Sequence, residues 1–137
     1  MQKVINAAII QDRNLVILRK EKKGKSIWIL PGGKPEAKEA DLTCLIRELS
    51  EELPFLKLTT HFYYYGSFEG ISPNRNIPIL TEVYMPEGII DMNLKISSNS
   101  NEPIRGAGFM DYPGLIQLPL SETTIKIIES LKTHSYL

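Results

Sequence analysis

Apolar and polar positions alternate in blocks along the chain and predict a mixture of short strands with two helices. Val4 to Ile10 is apolar and β-rich and reads as a strand. Asp12-Arg13-Asn14 is a turn signal, and Leu15 to Leu18 follows as a second strand, so the pair reads as a hairpin. Arg19 to Lys25 reads as a basic loop, and Ser26 to Leu30 as a strand that stops at Pro31-Gly32-Gly33. From Asp41 to Leu53 the period changes to that of a helix. Asp41 is the candidate N-cap, and Leu42, Leu45, Ile46, Leu49 and Leu53 form a stripe expected to face the core. Pro54 ends that helix.

Phe55 to Phe68 reads as a long strand, Glu69 to Asn76 as a polar loop, and Ile77 to Met85 as another strand closed by Pro86-Glu87-Gly88. Asn93 to Asn101 is a Ser/Asn-rich loop, Gly106-Ala107-Gly108 is a loop rather than a dinucleotide fingerprint, and Gly108 to Tyr112 reads as a last strand. Ser121 is the candidate cap of a final helix through Lys132, with Ile125, Ile127, Ile128 and Leu131 as its apolar face. The order of elements implies an α/β class, a mixed sheet covered by two helices. At 137 residues the chain fits one domain over 1–137.

Lys plus Arg and Asp plus Glu are equal at 16 each. That balance argues against a nucleic-acid polymer as partner, although a single nucleotide needs only local positive charge. Cys44 is the one cysteine, so no intrachain disulfide forms, and a reducing, cytoplasmic setting is the simplest expectation. No stretch approaches the roughly 18 apolar residues of a membrane span, and the N-terminal residues show no signal-peptide pattern. Neither a membrane nor a leader is therefore expected.

The informative segment is Arg47-Glu48-Leu49-Ser50-Glu51-Glu52. Spacings of three and four place Glu48, Glu51 and Glu52 on one helical face. Like charges so spaced repel by about 0.2–0.5 kcal/mol per pair, and carboxylates near a helix C-terminus oppose the dipole by about 0.3–1 kcal/mol each. A bound divalent cation would reverse both signs, and hard cations such as Mg²⁺ take carboxylate, carbonyl, phosphate and water oxygens. A solvated acidic face is the bland alternative. The paired glycines before the helix permit close backbone approach to a ligand, or simply end a strand.

Together these residues resemble the Nudix box: Gly, five residues, Glu, seven residues, Arg-Glu-apolar-any-Glu-Glu-any-Gly-apolar. Here Gly33, Glu39 and Arg47-Glu48-Leu49-Ser50-Glu51-Glu52-Leu53-Pro54-Phe55 match, with Pro54 in place of the last glycine. Proline cannot supply the left-handed cap that glycine allows, so the helix is expected to end with Leu53 already extended.

The resemblance implies an α/β/α sandwich and hydrolysis of a nucleotide or another nucleoside diphosphate derivative. It implies Mg²⁺ as cofactor, with Mn²⁺ as the alternative, held by Glu51, Glu52 and the Gly32 carbonyl. Glu48 is then a further ligand or the general base, Arg47 orients Glu39 or Glu48, and Glu39 supports the metal shell. Glu102 is a candidate additional ligand or base from a later loop, with Glu69 and Glu82 behind it. Arg19, Gly33 and Lys34 are candidates to contact substrate, whereas Lys20, Lys22, Lys23 and Lys25 read as solvated. Phe62 to Tyr65 could stack a base, although alternation sends some of those rings into the core. Cys44 and His61 read as structural.

Some relatives read oxidised purines with an asparagine near the last helix, and Pro119-Leu120-Ser121-Glu122 offers none. A homodimer is compatible with the resemblance. The alternative to an enzyme is a non-catalytic Nudix-like nucleotide sensor or regulator.

Overall fold

The computed structural model describes residues 1–72, 75–97 and 103–137. Its elements are β1 (Gln2–Ala7), β2 (Ile10–Gln11), β3 (Asn14–Lys22), β4 (Lys25–Ile29), β5 (Gly32–Gly33), α1 (Asp41–Glu52) and β6 (Lys57–Leu58). They continue with β7 (Phe62–Ile71), β8 (Pro78–Pro86), β9 (Ile89–Asp91), β10 (Ile104–Met110), α2 (Tyr112–Leu115) and α3 (Glu122–Thr133). One sheet runs β5-β1-β8-β7, with β1 and β8 parallel and the other pairs antiparallel. A second sheet runs β10-β3-β2, with β4 also paired to β3.

Alternation along β3 shows how the layers form. Val16 and Leu18 point to one side, where they pack with Ile5, Cys44, Leu45 and Leu49. Leu15 and Ile17 point to the other, where they pack with Val83, Ile127, Ile128 and Leu131. Strand layers thus lie between α1 and α3 as an α/β/α sandwich. Each fully buried Leu or Ile contributes about 1.5–3 kcal/mol by leaving water.

Several expectations are corrected. The apolar run Val4–Ile10 is two strands, because the chain passes from one sheet to the other. The Ala8 amide bonds the Tyr84 carbonyl, and the Ile9 carbonyl accepts from Val16. Only β2 forms the hairpin with β3, around Asp12 and Arg13 at φ 50° and 64°. The basic loop Arg19–Lys25 is a second hairpin, turned by Lys23 and Gly24 at φ 53° and 76°. The stretch Phe55–Phe68 divides into β6 and β7, and β7 continues to Ile71. The last strand lies earlier, at Ile104–Met110, so Gly106-Ala107-Gly108 is strand; Tyr112 opens α2, which the Asp111 carboxylate caps.

Helix α1 is capped at Ala40 without a side-chain bond. Asp41 is instead engaged by Lys3 Nζ at 2.6 Å and the Tyr84 hydroxyl at 2.9 Å. The buried face of α1 is Cys44, Leu45, Glu48, Leu49 and Glu52, while Leu42 and Ile46 are exposed. Helix α3 likewise buries Thr123, Thr124, Ile127, Ile128 and Leu131 and leaves Ile125 exposed. Its Ser121 cap is present, with Oγ accepting the Thr124 amide at 3.2 Å. Before Pro54, Leu53 leaves helical geometry at φ −131°, ψ 69° while its amide still bonds Leu49. Among the described residues, no helix is long and apolar enough to cross a membrane.

Candidate active site

A cleft of about 430 Å³ opens between the first sheet, the β3–β4 hairpin and the start of α3. Val4, Ile27, Ile29 and Ile79 make apolar walls, with Asn6 and Thr81 as neutral polar groups. At one end stand Gly32, Gly33, Glu48 and Glu52.

The helical period explains the acidic end. Glu48 and Glu52 are one turn apart and share the face that carries Cys44, Leu45 and Leu49. That face docks on β1 and β5, so both carboxylates are drawn inside, 7% and 2% exposed. Buried charge is tolerated only with strong polar partners. Glu52 Oε1 accepts the Gly32 amide at 3.0 Å, and Glu48 Oε1 accepts from Arg47 Nη1 at 3.0 Å.

The two glycines make this approach feasible. Gly32 sits at φ +141°, where a Cβ would run into the Ile5 carbonyl. A Cβ on Gly33 would lie 2.6 and 2.7 Å from the two Glu48 carboxylate oxygens. The Gly33 carbonyl accepts from Cys44 Sγ at 3.7 Å. Burial, reinforced by the charge of Glu39, pushes the Cys44 thiol up to about 12, so it remains protonated.

Arg47 stands behind the acidic end as a charged hub. Its Nε and Nη2 each donate to one oxygen of Glu39 at 2.9 Å, and Nη2 also donates to the Lys34 carbonyl at 3.3 Å. The hydrogen bond to Glu39, then that to Glu48, holds the Arg47 pKa above its ordinary value. The Arg47 hydrogen bonds, then the Glu36 amide, hold the Glu39 carboxyl down at about 2.

The expected site residues therefore separate into groups. Gly32, Gly33, Lys34, Glu48 and Glu52 line the cleft. Glu39 and Arg47 support it from behind. Glu51 lies on the solvent flank of α1, half-exposed and 3.5 Å from Arg47 Nη1, and does not line the cleft. Arg19 also lies outside: strand alternation turns it away, and it bonds Glu21 at 3.4 Å and the Arg105 carbonyl at 3.2 Å.

Glu102 falls outside the described residues. Neither Glu69 nor Glu82 lines the cleft; Glu82 accepts from Ser67 Oγ at 2.7 Å. None of Phe62 to Tyr65 lines it either: Phe62 and Tyr65 pack against opposite core clusters, while Tyr63 and Tyr64 are exposed.

Sequence reasoning missed Asn6, Lys20, Lys22 and Arg75 as lining residues. The signal for the lysines was available in the alternation of β3, since Leu18, Lys20 and Lys22 share a face opposite to Arg19.

The donor set fits a divalent cation. Two buried carboxylates beside flexible glycine backbone are hard oxygen donors. Among the described residues, no group of three or more His, Cys, Asp or Glu side chains is arranged as a closed metal cage. Mg²⁺ is commonly held by one or two carboxylates, with substrate phosphates and waters completing its shell, and the open acidic end suits that mode.

A family model described as NUDIX domain matches residues 1–127. The chain is similar to the solution structure of the E. coli ORF135 protein, at TM-score 0.76 and 20% identity, covering 98% of this chain and 93% of that one. It is similar to a MutT NUDIX hydrolase from Burkholderia pseudomallei, at TM-score 0.72 and 22% identity over 93% and 95% of the two chains. It is also similar to the NUDIX domain of Shewanella oneidensis NrtR complexed with ADP ribose, at TM-score 0.72 and 14% identity over 98% and 88%. No curated protein matches the chain.

Proposed function

Since the chain belongs to the Nudix hydrolase family, we propose that it cleaves a pyrophosphate linkage in a nucleotide or another nucleoside diphosphate derivative, with Mg²⁺ or Mn²⁺ as cofactor. The observation that carries this reading is the pair Glu48 and Glu52, buried at one end of a cleft large enough for a nucleoside and flanked by Gly32 and Gly33.

The ion, when bound, neutralises phosphate charge and orients the attacking water. Glu48 and Glu52 would hold it, Glu51 would add negative charge nearby, and the Gly32 carbonyl would be a backbone donor. Glu48 is the candidate proton acceptor. Water attacks phosphorus, its proton passes to the carboxylate, and the bridging P–O bond breaks with its electron pair on the leaving phosphate. Arg47 keeps Glu48 oriented through the 3.0 Å bond, and Glu39 holds Arg47 in place. Lys34, at the same end, balances phosphate charge. The apolar walls accept the nucleoside and exclude water from it.

ADP ribose, bound by the similar Shewanella domain, belongs in the substrate panel with sugar nucleotides, dinucleoside polyphosphates and dNTPs. A phosphate-release screen of that panel, with and without Mg²⁺ and Mn²⁺, tests the reading. Release of phosphate or pyrophosphate that requires the metal is expected for at least one class. No release from any class with either metal would contradict it.

A further inference from the structure

The charges lining the cleft are segregated. Among its described lining residues, the carboxylates are Glu48 and Glu52, and the cations are Lys20, Lys22, Lys34 and Arg75. Strand register shows where each group lies. Asn6 pairs with Gly32 at the acidic end, whereas Gln2 pairs with Ile79. Gln2 is four residues along β1 from Asn6, about 13 Å at the rise of a strand.

Ile71 pairs with Pro78 beyond that end, and Arg75, which lines the cleft, lies between them in sequence. On the other wall Ile29, three residues before Gly32, pairs with Leu18. Lys20 and Lys22 follow two and four residues further along β3, roughly 7 and 13 Å from Leu18. Lys34 alone among these cations adjoins the paired glycines in sequence.

One of the distal cations also faces a further lysine across the hairpin. Lys22 is directly opposite Lys25 in the hairpin. Like charges in direct cross-strand pairs are unfavourable, and an anion between them removes the penalty.

We propose that Lys20, Lys22 and Arg75 form a second anion site at the mouth of the cleft, which receives a phosphomonoester borne by the substrate away from its diphosphate. This rests on the hydrolase reading only for the placement of the diphosphate at the acidic end. The preferred substrate class is then a nucleoside diphosphate derivative carrying one further phosphate, with the nucleoside packed on the apolar walls between two charged ends.

Equilibrium titration without metal tests this independently of turnover. The probes are adenosine 5′-monophosphate, adenosine 2′,5′-bisphosphate and adenosine 3′,5′-bisphosphate. At low salt, one bisphosphate is expected to bind the wild-type protein roughly tenfold more tightly than the monophosphate, as one added charge-assisted contact implies. In Lys20→Gln/Lys22→Gln that advantage should vanish while monophosphate affinity is retained, with folding checked by circular dichroism. Equal affinities in the wild type overturn the proposal. So does an equal loss for all probes in the variant, which would assign the lysines to the 5′-phosphate, or no binding of any probe at millimolar concentration. Absence of hydrolysis alongside a bisphosphate preference would count against the hydrolase reading alone.

Discussion

Arg47 grips Glu39 with two parallel donations, Nε and Nη2 each 2.9 Å from a carboxylate oxygen. The same guanidinium reaches Glu48 through Nη1 at 3.0 Å. One planar cation therefore ties the loop before α1 to the carboxylate proposed to take the proton. Lysine can form neither the paired donation nor the second bond at once. Arg47→Lys is expected to lower kcat roughly 10–100-fold, as loss of a supporting shell commonly does, with the fold retained. Steady-state kinetics with circular dichroism check this, and an unchanged kcat would remove Arg47 from the site.

The depressed pKa of Glu39 makes an acid-stability prediction. Folding lowers that pKa from 4.5 to about 2, chiefly through the Arg47 hydrogen bonds. The unfolded chain thus binds the proton first as pH falls. The contribution is complete above about pH 4.5 and is lost progressively down to about 2. Urea unfolding at stepped pH should show a steeper loss of stability across that window in the wild type than in Glu39→Gln. Identical slopes would contradict the assignment.

The fold class and acidic helix were legible because both are written in local spacing. The interval from Gly33 to Glu39 to Arg47 and the helical period pointed to the meeting of Glu48 and Glu52 with the paired glycines, while the same period also grouped Glu51, which lies on the solvent flank. What local pattern did not carry was rotation and partition. The apolar period runs through Leu42 and Ile46, yet tertiary docking buries Cys44 and both cleft carboxylates, leaving those two apolar residues exposed. The stretch from Val4 to Ile10, apolar apart from Asn6, gives no sign of where the chain changes sheets. The charge of Lys20 and Lys22 reads as a loop, while Lys23 and Gly24 turn the chain tightly enough to keep it paired. Arg19 stands at the end of the expected strand, yet alternation places Lys20 rather than Arg19 in the cleft.

Gly33→Ala probes the close approach of α1 to the glycine loop. The added methyl would sit 2.6 and 2.7 Å from the Glu48 oxygens, so the carboxylate must move. Overpacking of this kind destabilises by about 1–3 kcal/mol. A displacement near 1 Å can lower turnover about 100-fold. Thermal melts with kinetics distinguish the two effects, and a variant with wild-type kcat would show that Glu48 need not sit where it does.

Ser121→Ala tests the cap of α3 at the cleft wall. Ser121 Oγ accepts the Thr124 amide at 3.2 Å and lies 2.6 Å from the Thr124 hydroxyl. Its removal should lower unfolding free energy by about 1 kcal/mol, and Ser121→Asp, which retains a capping oxygen, should recover most of it. Urea titration at neutral pH reads the difference, and equal stability of the alanine variant and wild type would refute the cap's contribution.

On the proposed function, Glu48 and Glu52 serve metal-assisted hydrolysis rather than folding. Glu52→Gln keeps an oxygen for the Gly32 amide, which Glu52 now bonds at 3.0 Å, so its fold should persist. The decisive measurement is kcat as a function of Mg²⁺ concentration for the wild type, Glu48→Gln and Glu52→Gln on the most active substrate of the panel. Both variants are expected to fold with kcat about 10²–10⁴-fold lower, and Glu52→Gln to need more metal. Wild-type turnover at the same Mg²⁺ concentration in either folded variant would contradict it.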